Sequence, residues 1–309
     1  MINLFNINNY IIDTSKLRGL HDNIVSDFEN DIASFVGAKY GCGFSSATNA
    51  IFLALLEKDT TIEVPSILPP VVCNAIKTSG NNLAFRDDIK WVGDSYVLHD
   101  FKDYKIIDSA QKIVKNQFIS EANPQDLMIF SFYPTKPIGS FDGGIIVSND
   151  KDKIDFFKMM VMNGCVFDKQ SWKRKTVRPG FKMYLNAIQA YIGNENFKKL
   201  DEKYKALDRI KQIYNSEFNL NNDSYHLYRL NVNDRAKFLK KANQQSVEIG
   251  IHYEALHVNP IYCNGGKALP MSDKESKTTI SIPFHECLTD KEIEKVINLV
   301  KSHGYYKNT

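Results

Sequence analysis

Long apolar runs are missing from this chain, so no segment offers the ~18–20 apolar residues that a membrane-spanning helix needs. The opening MINLFNINNYIID has neither the basic stretch nor the cleavage site of a secretory leader, and the expected location is the cytoplasm. Charge of one sign is scarce too: 39 Lys and Arg against 36 Asp and Glu leave +3, too slight for a nucleic-acid surface. The 15 Tyr and 19 Phe are scattered through apolar segments and do not interleave with a basic stripe. Cysteine is sparse and odd in number. Cys42, Cys73, Cys165, Cys263 and Cys287 show neither a zinc-ligand spacing nor a disulfide framework, so no metal is expected and all five read as small structural thiols. Repeats and low-complexity tracts are absent as well. What remains is an ordinary globular composition, 43% hydrophobic and 24% charged, over 309 residues. That length accommodates one large domain and a smaller one.

Taken in order, residues 22–35 place Ile24, Phe28, Ile32 and Phe35 at helical spacing, with Gly37 as a stop. A strand over 40–44 follows, then the turn Ser45-Ser46-Ala47-Thr48-Asn49, then a helix over 50–56. Strand, small polar residues and helix start aim backbone N–H groups at an anion, and Ser46 and Thr48 add hydroxyls. The same residues would equally make a plain helix N-cap. Strands are expected at 61–64, 83–85, 96–98 and 105–107, with a helix at 71–78. The last strand runs into Asp108-Ser109-Ala110-Gln111. An acid at a strand's C-terminal end lies where open α/β sheets bind ligands, although aspartate there also caps helices.

Residues 126–147, DLMIFSFYPTKPIGSFDGGIIV, hold two apolar runs around a bend containing Pro134, Pro137 and Gly139. Lys136 sits on that bend. An ammonium beside an apolar core loses hydration and its pKa falls, giving a neutral amine able to form a Schiff base with an aldehyde cofactor. A surface-turn lysine is the plainer alternative. Alternating strands and helices argue for an α/β domain with a mostly parallel sheet, which would gather Thr48, Asp108, Ser131 and Lys136 at one edge.

Beyond residue 149 the pattern changes. Helices are expected at 152–162 and 183–192, with an irregular polar loop at 163–179 that includes Trp172. Apolar residues at Phe197, Leu200, Tyr204, Leu207, Ile210, Tyr214 and Phe218 then mark a long amphipathic helix. Strands at 225–232, 248–253 and 278–284 follow, and Thr289 with Glu292 makes a capping box for a last helix ending at Gly304. The expected layout is a large α/β domain over 1–193, a connecting helix over 194–220 and a small α+β domain over 221–309.

With these segments in place, the chain resembles the DegT/StrS-type aminotransferases, pyridoxal 5′-phosphate (PLP) enzymes of fold type I that act on nucleotide-linked keto sugars. FENDIASFVGAKYGCGFSSATNAIFLALL is similar to the family's opening helix, strand and phosphate turn, IIDSAQ to its aspartate motif and FSFYPTKPIGSFDGG to its lysine motif. PGFKMYLNAIQAYIG resembles a helix contributed across a dimer, and YHLYRL, GIHYEALH and ISIPFHECLTDKEI resemble the small domain. The resemblance runs collinearly over nearly the whole chain.

By position, the resemblance implies that Lys136 holds PLP as a Schiff base and then shuttles the proton. Asp108 would pair with the pyridinium nitrogen, and Gln111 would lie near the ring. Ala47, Thr48 and Ser131 would bind the phosphate, completed from a second subunit at the positions of Lys182 and Tyr184. His252, Tyr253 and His257 are candidate substrate residues. Three departures stand out: Pro69 occupies the position of the family's ring-stacking aromatic, residues 87–107 are shortened, and Asn163 replaces a common histidine. The implied activity moves an amino group from an amino acid, L-glutamate, to a nucleotide-linked keto sugar, in amino-sugar biosynthesis for a surface polysaccharide or glycoside. A homodimer with shared sites is implied, with neither nucleic acid nor membrane as partner. Family dehydratases carry histidine at the lysine position, so Lys136 favours transamination; sugar dehydration, or a PLP-fold binding or regulatory protein that has lost catalysis, are the alternatives.

Overall fold

A computed structural model describes residues 1–7, 10, 12–13, 15, 17–167, 173–263 and 267–305; Trp172 lies outside them. The first elements are α1 (Asn23–Val36), β1 (Tyr40–Phe44), α2 (Ala47–Leu55), β2 (Thr61–Pro65) and α3 (Pro70–Thr78). Next come β3 (Asn82–Arg86), β4 (Tyr96–Asp100), β5 (Lys105–Asp108), α4 (Gln117–Glu121), β6 (Leu127–Ser131) and β7 (Gly144–Ser148). After α5 (Lys151–Val161), the short strands β8 (Cys165–Phe167) and β9 (Arg174–Thr176) pair, and α6 (Ala187–Phe197) and α7 (Leu200–Phe218) follow. The chain closes with β10 (Tyr228–Asn231), α8 (Arg235–Gln244), α9 (Pro270–Thr278), β11 (Thr279–Ile282) and α10 (Asp290–His303).

Caps settle several boundaries. Ser46 accepts the Asn49 N–H at 3.2 Å, so α2 begins at Ala47 and not at the expected Ala50. Asn186 and Gln189 form a capping box, so the helix expected from 183 starts at Ala187. The stretch before it is extended, bridging Phe44 to Tyr184 and Met162 to Lys182. The long amphipathic helix breaks at Lys198 and Lys199, between α6 and α7.

The central sheet has the order β1-β7-β6-β5-β4. β5 and β6 are parallel, whereas β7 is antiparallel to β1 and β6, and β4 to β5. β1, β5 and β6 therefore run one way, and a separate pair, β2 and β3, is also parallel. The α/β architecture is the expected one, but the sheet is mixed. Residues 101–104 explain part of this: they form a tight turn, with Phe101 N–H on Tyr104 C=O at 2.9 Å. A parallel crossover needs a dozen or more residues, so the shortened 87–107 region forces a hairpin.

Alternation along the strands sends Ile106, Ile129, Ile146 and Cys42 to a core under α2, α3 and α5. Ile107, Met128, Phe130, Ile145 and Val147 face a second core with Phe28 and Ile32 of α1 and Ala190 of α6. A third core joins α7, α8 and α10 to the antiparallel pair β10 and β11, around the fully buried Tyr214, Phe218, Tyr228 and Phe238. Each such side chain contributes about 1.5–3 kcal/mol by leaving water.

Ile2 belongs to this third core, and Leu4 N–H donates to Glu248 at 2.8 Å, so the first residues pack with the C-terminal part of the chain. The strand expected at 248–253 does not form; Gly250 alone pairs with Ser281, and Val247 with Ile2. The capping box of Thr289 and Glu292 is present on α10. Among the described residues, no helix is long and apolar enough to cross a membrane.

Candidate active site

The shared direction of β1, β5 and β6 brings their C-terminal ends to one edge of the sheet. Asp108 ends β5, Ser131 ends β6, and α2 starts just beyond β1. Gly144 opens β7 opposite Ser131. A Cβ there would lie 2.6 Å from the backbone of Ala47, so glycine lets the start of α2 close onto the strand ends. Ala47 and Thr48 are the first helical residues, whose N–H groups have no partner within the helix. With the positive end of the helix dipole there and the half-buried Ser131 opposite Gly144, the arrangement could receive an anion.

Lys136 sits on the bend after β6, its N–H on Tyr133 C=O at 2.8 Å. It is half-buried, and loss of hydration lowers its pKa to about 8 although the charge of Asp108 pulls the other way. Its Nζ lies 3.2 Å from His226 Nε2. Burial, then the charges of Lys136 and His252, hold His226 well below the usual histidine range, so it is neutral. Phe5 stacks on His226 with ring centroids 5.5 Å apart and meets His252 edge-on at 6.0 Å. His252 shares a hydrogen bond with Ser281 Oγ at 2.8 Å, and burial with Lys136 and Arg229 lowers its pKa to about 4. The amine thus sits among uncharged imidazoles.

The buried Asp108 accepts hydrogen bonds from Tyr96 Oη at 2.9 Å and from Ala110 N–H at 2.9 Å. Burial raises its pKa, opposed by those donors and by Lys136. The buried Gln111 accepts from Gly93 N–H at 2.7 Å and donates through Nε2 to Tyr253 Oη at 2.9 Å. Tyr253 is therefore tied to the aspartate motif, and the Trp91 ring lies parallel to it, 6.4 Å away with planes 8° apart.

Other expected residues have their own partners and places. His257 is buried against Ser66, Nδ1 to Oγ 2.7 Å, with Asp273 at 3.4 Å, where it ties two segments together. Pro69 is the N-cap of α3, half-buried and without an aromatic face. Lys182 is exposed and its charge acts on His21, whose ring meets Tyr184 at 4.4 Å.

The sequence reading passed over His226, Tyr96 and Trp91. His226 stands inside YHLYRL, quoted only for its architecture, and Tyr96 and Trp91 lie in the stretch read as merely shortened. Only motif membership could have singled out His226, 90 residues from Lys136.

The donor set fits PLP: an amine for the aldehyde, a buried carboxylate for the ring nitrogen, and a helix start with hydroxyls for the phosphate. The profile of the DegT/DnrJ/EryC1/StrS aminotransferase family matches residues 108–301. The chain belongs to this family. Its members depend on PLP, and so does this aminotransferase. UDP-4-amino-4,6-dideoxy-N-acetyl-beta-L-altrosamine transaminase of Campylobacter jejuni is 25% identical, with 94% of each chain covered. The spore coat polysaccharide biosynthesis protein SpsC of Bacillus subtilis is 24% identical, over 90% of this chain and 88% of its own. The aminotransferase TlmJ of Streptoalloteichus hindustanus superposes with a TM-score of 0.82 at 19% identity, with 98% of each chain covered, and shares the fold.

Proposed function

We propose that this aminotransferase moves an amino group from L-glutamate to the keto group of a nucleotide-linked sugar, for amino-sugar biosynthesis. The observation that carries the reading is Lys136, a poorly hydrated amine with a pKa of about 8, beside Asp108 and the neutral His226. A cleft of about 490 Å³ opens onto Lys136, with Tyr10, Tyr191 and Asn196 in its wall. That volume and those polar side chains suit a sugar substrate. The relatives named for a UDP-sugar transaminase and for polysaccharide biosynthesis point the same way.

When bound, PLP supplies an aldehyde for amine capture and a ring that withdraws electrons. Lys136 would hold that aldehyde, and as a neutral amine it would serve as the base that takes a proton from the donor's Cα. His226, uncharged, shares a hydrogen bond with that amine at 3.2 Å and would orient it. Asp108 would pair with the ring nitrogen, and Gln111 would lie near the ring. Ala47, Thr48 and Ser131 would hold the phosphate, and the exposed Lys182 would reach the phosphate of a second copy in a homodimer.

Borohydride treatment of the PLP-loaded protein should fix the cofactor on Lys136, located by peptide mass. Glutamate should convert the bound cofactor to its amine form, and a panel of nucleotide keto sugars should yield a product carrying new nitrogen. Labelling at another lysine, or a product without nitrogen, would sink the assignment; the second outcome would indicate dehydration.

A further inference from the structure

We propose that Trp91, Gly93 and Tyr96 form a built-in brace for the cofactor ring, in which Tyr96 positions Asp108 while Gly93 and Trp91 position Gln111. The inference rests on the reading of Asp108 and Gln111 as the residues that face that ring. Three contacts from one short segment carry it. Tyr96 Oη donates to Asp108 Oδ2, Gly93 N–H donates to Gln111 Oε1, and Trp91 lies parallel to Tyr253, which accepts from Gln111 Nε2. The segment is itself pinned, because the Trp91 indole N–H donates to Ile67 C=O at 2.9 Å and its ring packs 4.5 Å from that of Tyr96. Gly93 has φ 95°, and a Cβ on it would meet Ser224 Oγ at 2.8 Å, so a side chain there would dislodge the N–H aimed at Gln111.

Tyr96 donates to one carboxylate oxygen and the Ala110 N–H to the other, which fixes the carboxylate plane and leaves a lone pair on each oxygen for a further donor. A buried carboxylate held by donors stays ionised more readily than a bare one. The ionisable groups around Asp108 are Tyr96 on β4, Lys136 beyond β6 and Tyr253. Behind them, Arg86 on β3 and Cys73 on α3 act on Tyr96, and His226 and His252 face Lys136. Tyr96 is a positioning residue, since it acts through Asp108.

Tyr96→Phe keeps the ring against Trp91 and removes only the hydroxyl. Asp108 then holds the ring nitrogen's proton less firmly, and the nitrogen joining Lys136 to the cofactor becomes more basic. The pH midpoint of the bound cofactor's visible absorbance should rise by about one unit, and the PLP dissociation constant by about tenfold. Thermal melting of the cofactor-free protein should change little. Trp91→Phe loosens the segment at a second point and should give a smaller shift in the same direction. Ser95→Ala removes a hydrogen bond from the same segment to Glu121, outside the brace, and should leave both readings unchanged. Wild-type midpoints and affinities in both Tyr96→Phe and Trp91→Phe would overturn the brace, as would an equal shift in Ser95→Ala. A wild-type protein with no such band would instead overturn the role given to Lys136, so the two failures are distinct.

Discussion

At the end of the site proposed for the phosphate, the start of α2 is set by Ser46 and the N–H of Asn49, three residues apart in the chain. At the ring end, Gln111 is fixed by Tyr253, 142 residues away, and Lys136 faces His226 at a separation of 90. The first end is built of backbone: helix-start N–H groups, a dipole, and one glycine that permits close approach. Side chains from distant segments build the second, and each needs its neighbours in place before it can be oriented. A backbone cradle tolerates substitution, whereas a side-chain array concentrates its effect in a few buried polar atoms whose partners cannot be replaced by water.

The sharpest test of this contrast is Asp108→Asn. It should lower the single-turnover rate with glutamate by on the order of 10²–10³, while the α2 end still retains PLP through dialysis. Loss of binding with an unchanged rate would reverse the roles of the two ends. Lys136 offers a pH readout at the ring end. In the cofactor-free protein its neutral form reacts with amine reagents, so labelling should be half-maximal near pH 8 and fall about tenfold per unit below that. A midpoint at the ordinary lysine value would show that the amine is fully hydrated.

At the phosphate end the expected effect is smaller. Thr48→Val should weaken PLP binding about tenfold, ~1.4 kcal/mol, with kcat at saturating cofactor within about twofold of wild type. A large fall in kcat would mean that the phosphate cradle also orients the ring. Far from both ends, Thr289→Ala removes the α10 cap and should cost about 1 kcal/mol of stability in a melting experiment. PLP affinity should not move; if it did, the core around β10 and β11 and the cofactor site would be coupled through α10.

Legibility followed the same divide. Strand ends, the phosphate turn, the α10 capping box and the bend holding Lys136 are local patterns, and the structure places them close to where periodicity and turn residues do. The start of α2 was misplaced because Ser46 could be read as turn or cap, and only the cap geometry decides. The direction of β4 was hidden for another reason: strand polarity depends on the connection, and the hairpin at 101–104 shows only when its two strands are paired. His257 is by residue type equally a substrate candidate and a satisfied structural group, and only the fold shows its bond to Ser66.

Returning to the residues themselves, spacing along the chain was enough to place Asp108 and Ser131 at strand ends and Lys136 on the bend beyond β6, because strand and helix periods govern where successive side chains point. It could not assign His226 to Lys136, Tyr96 to Asp108 or Tyr253 to Gln111. Those pairings arise from how separate segments close on one another, and each depends on the burial and hydrogen-bond partners that closure creates. The depressed pKa of Lys136 belongs with them, since desolvation exists only once the surrounding chain has excluded the water.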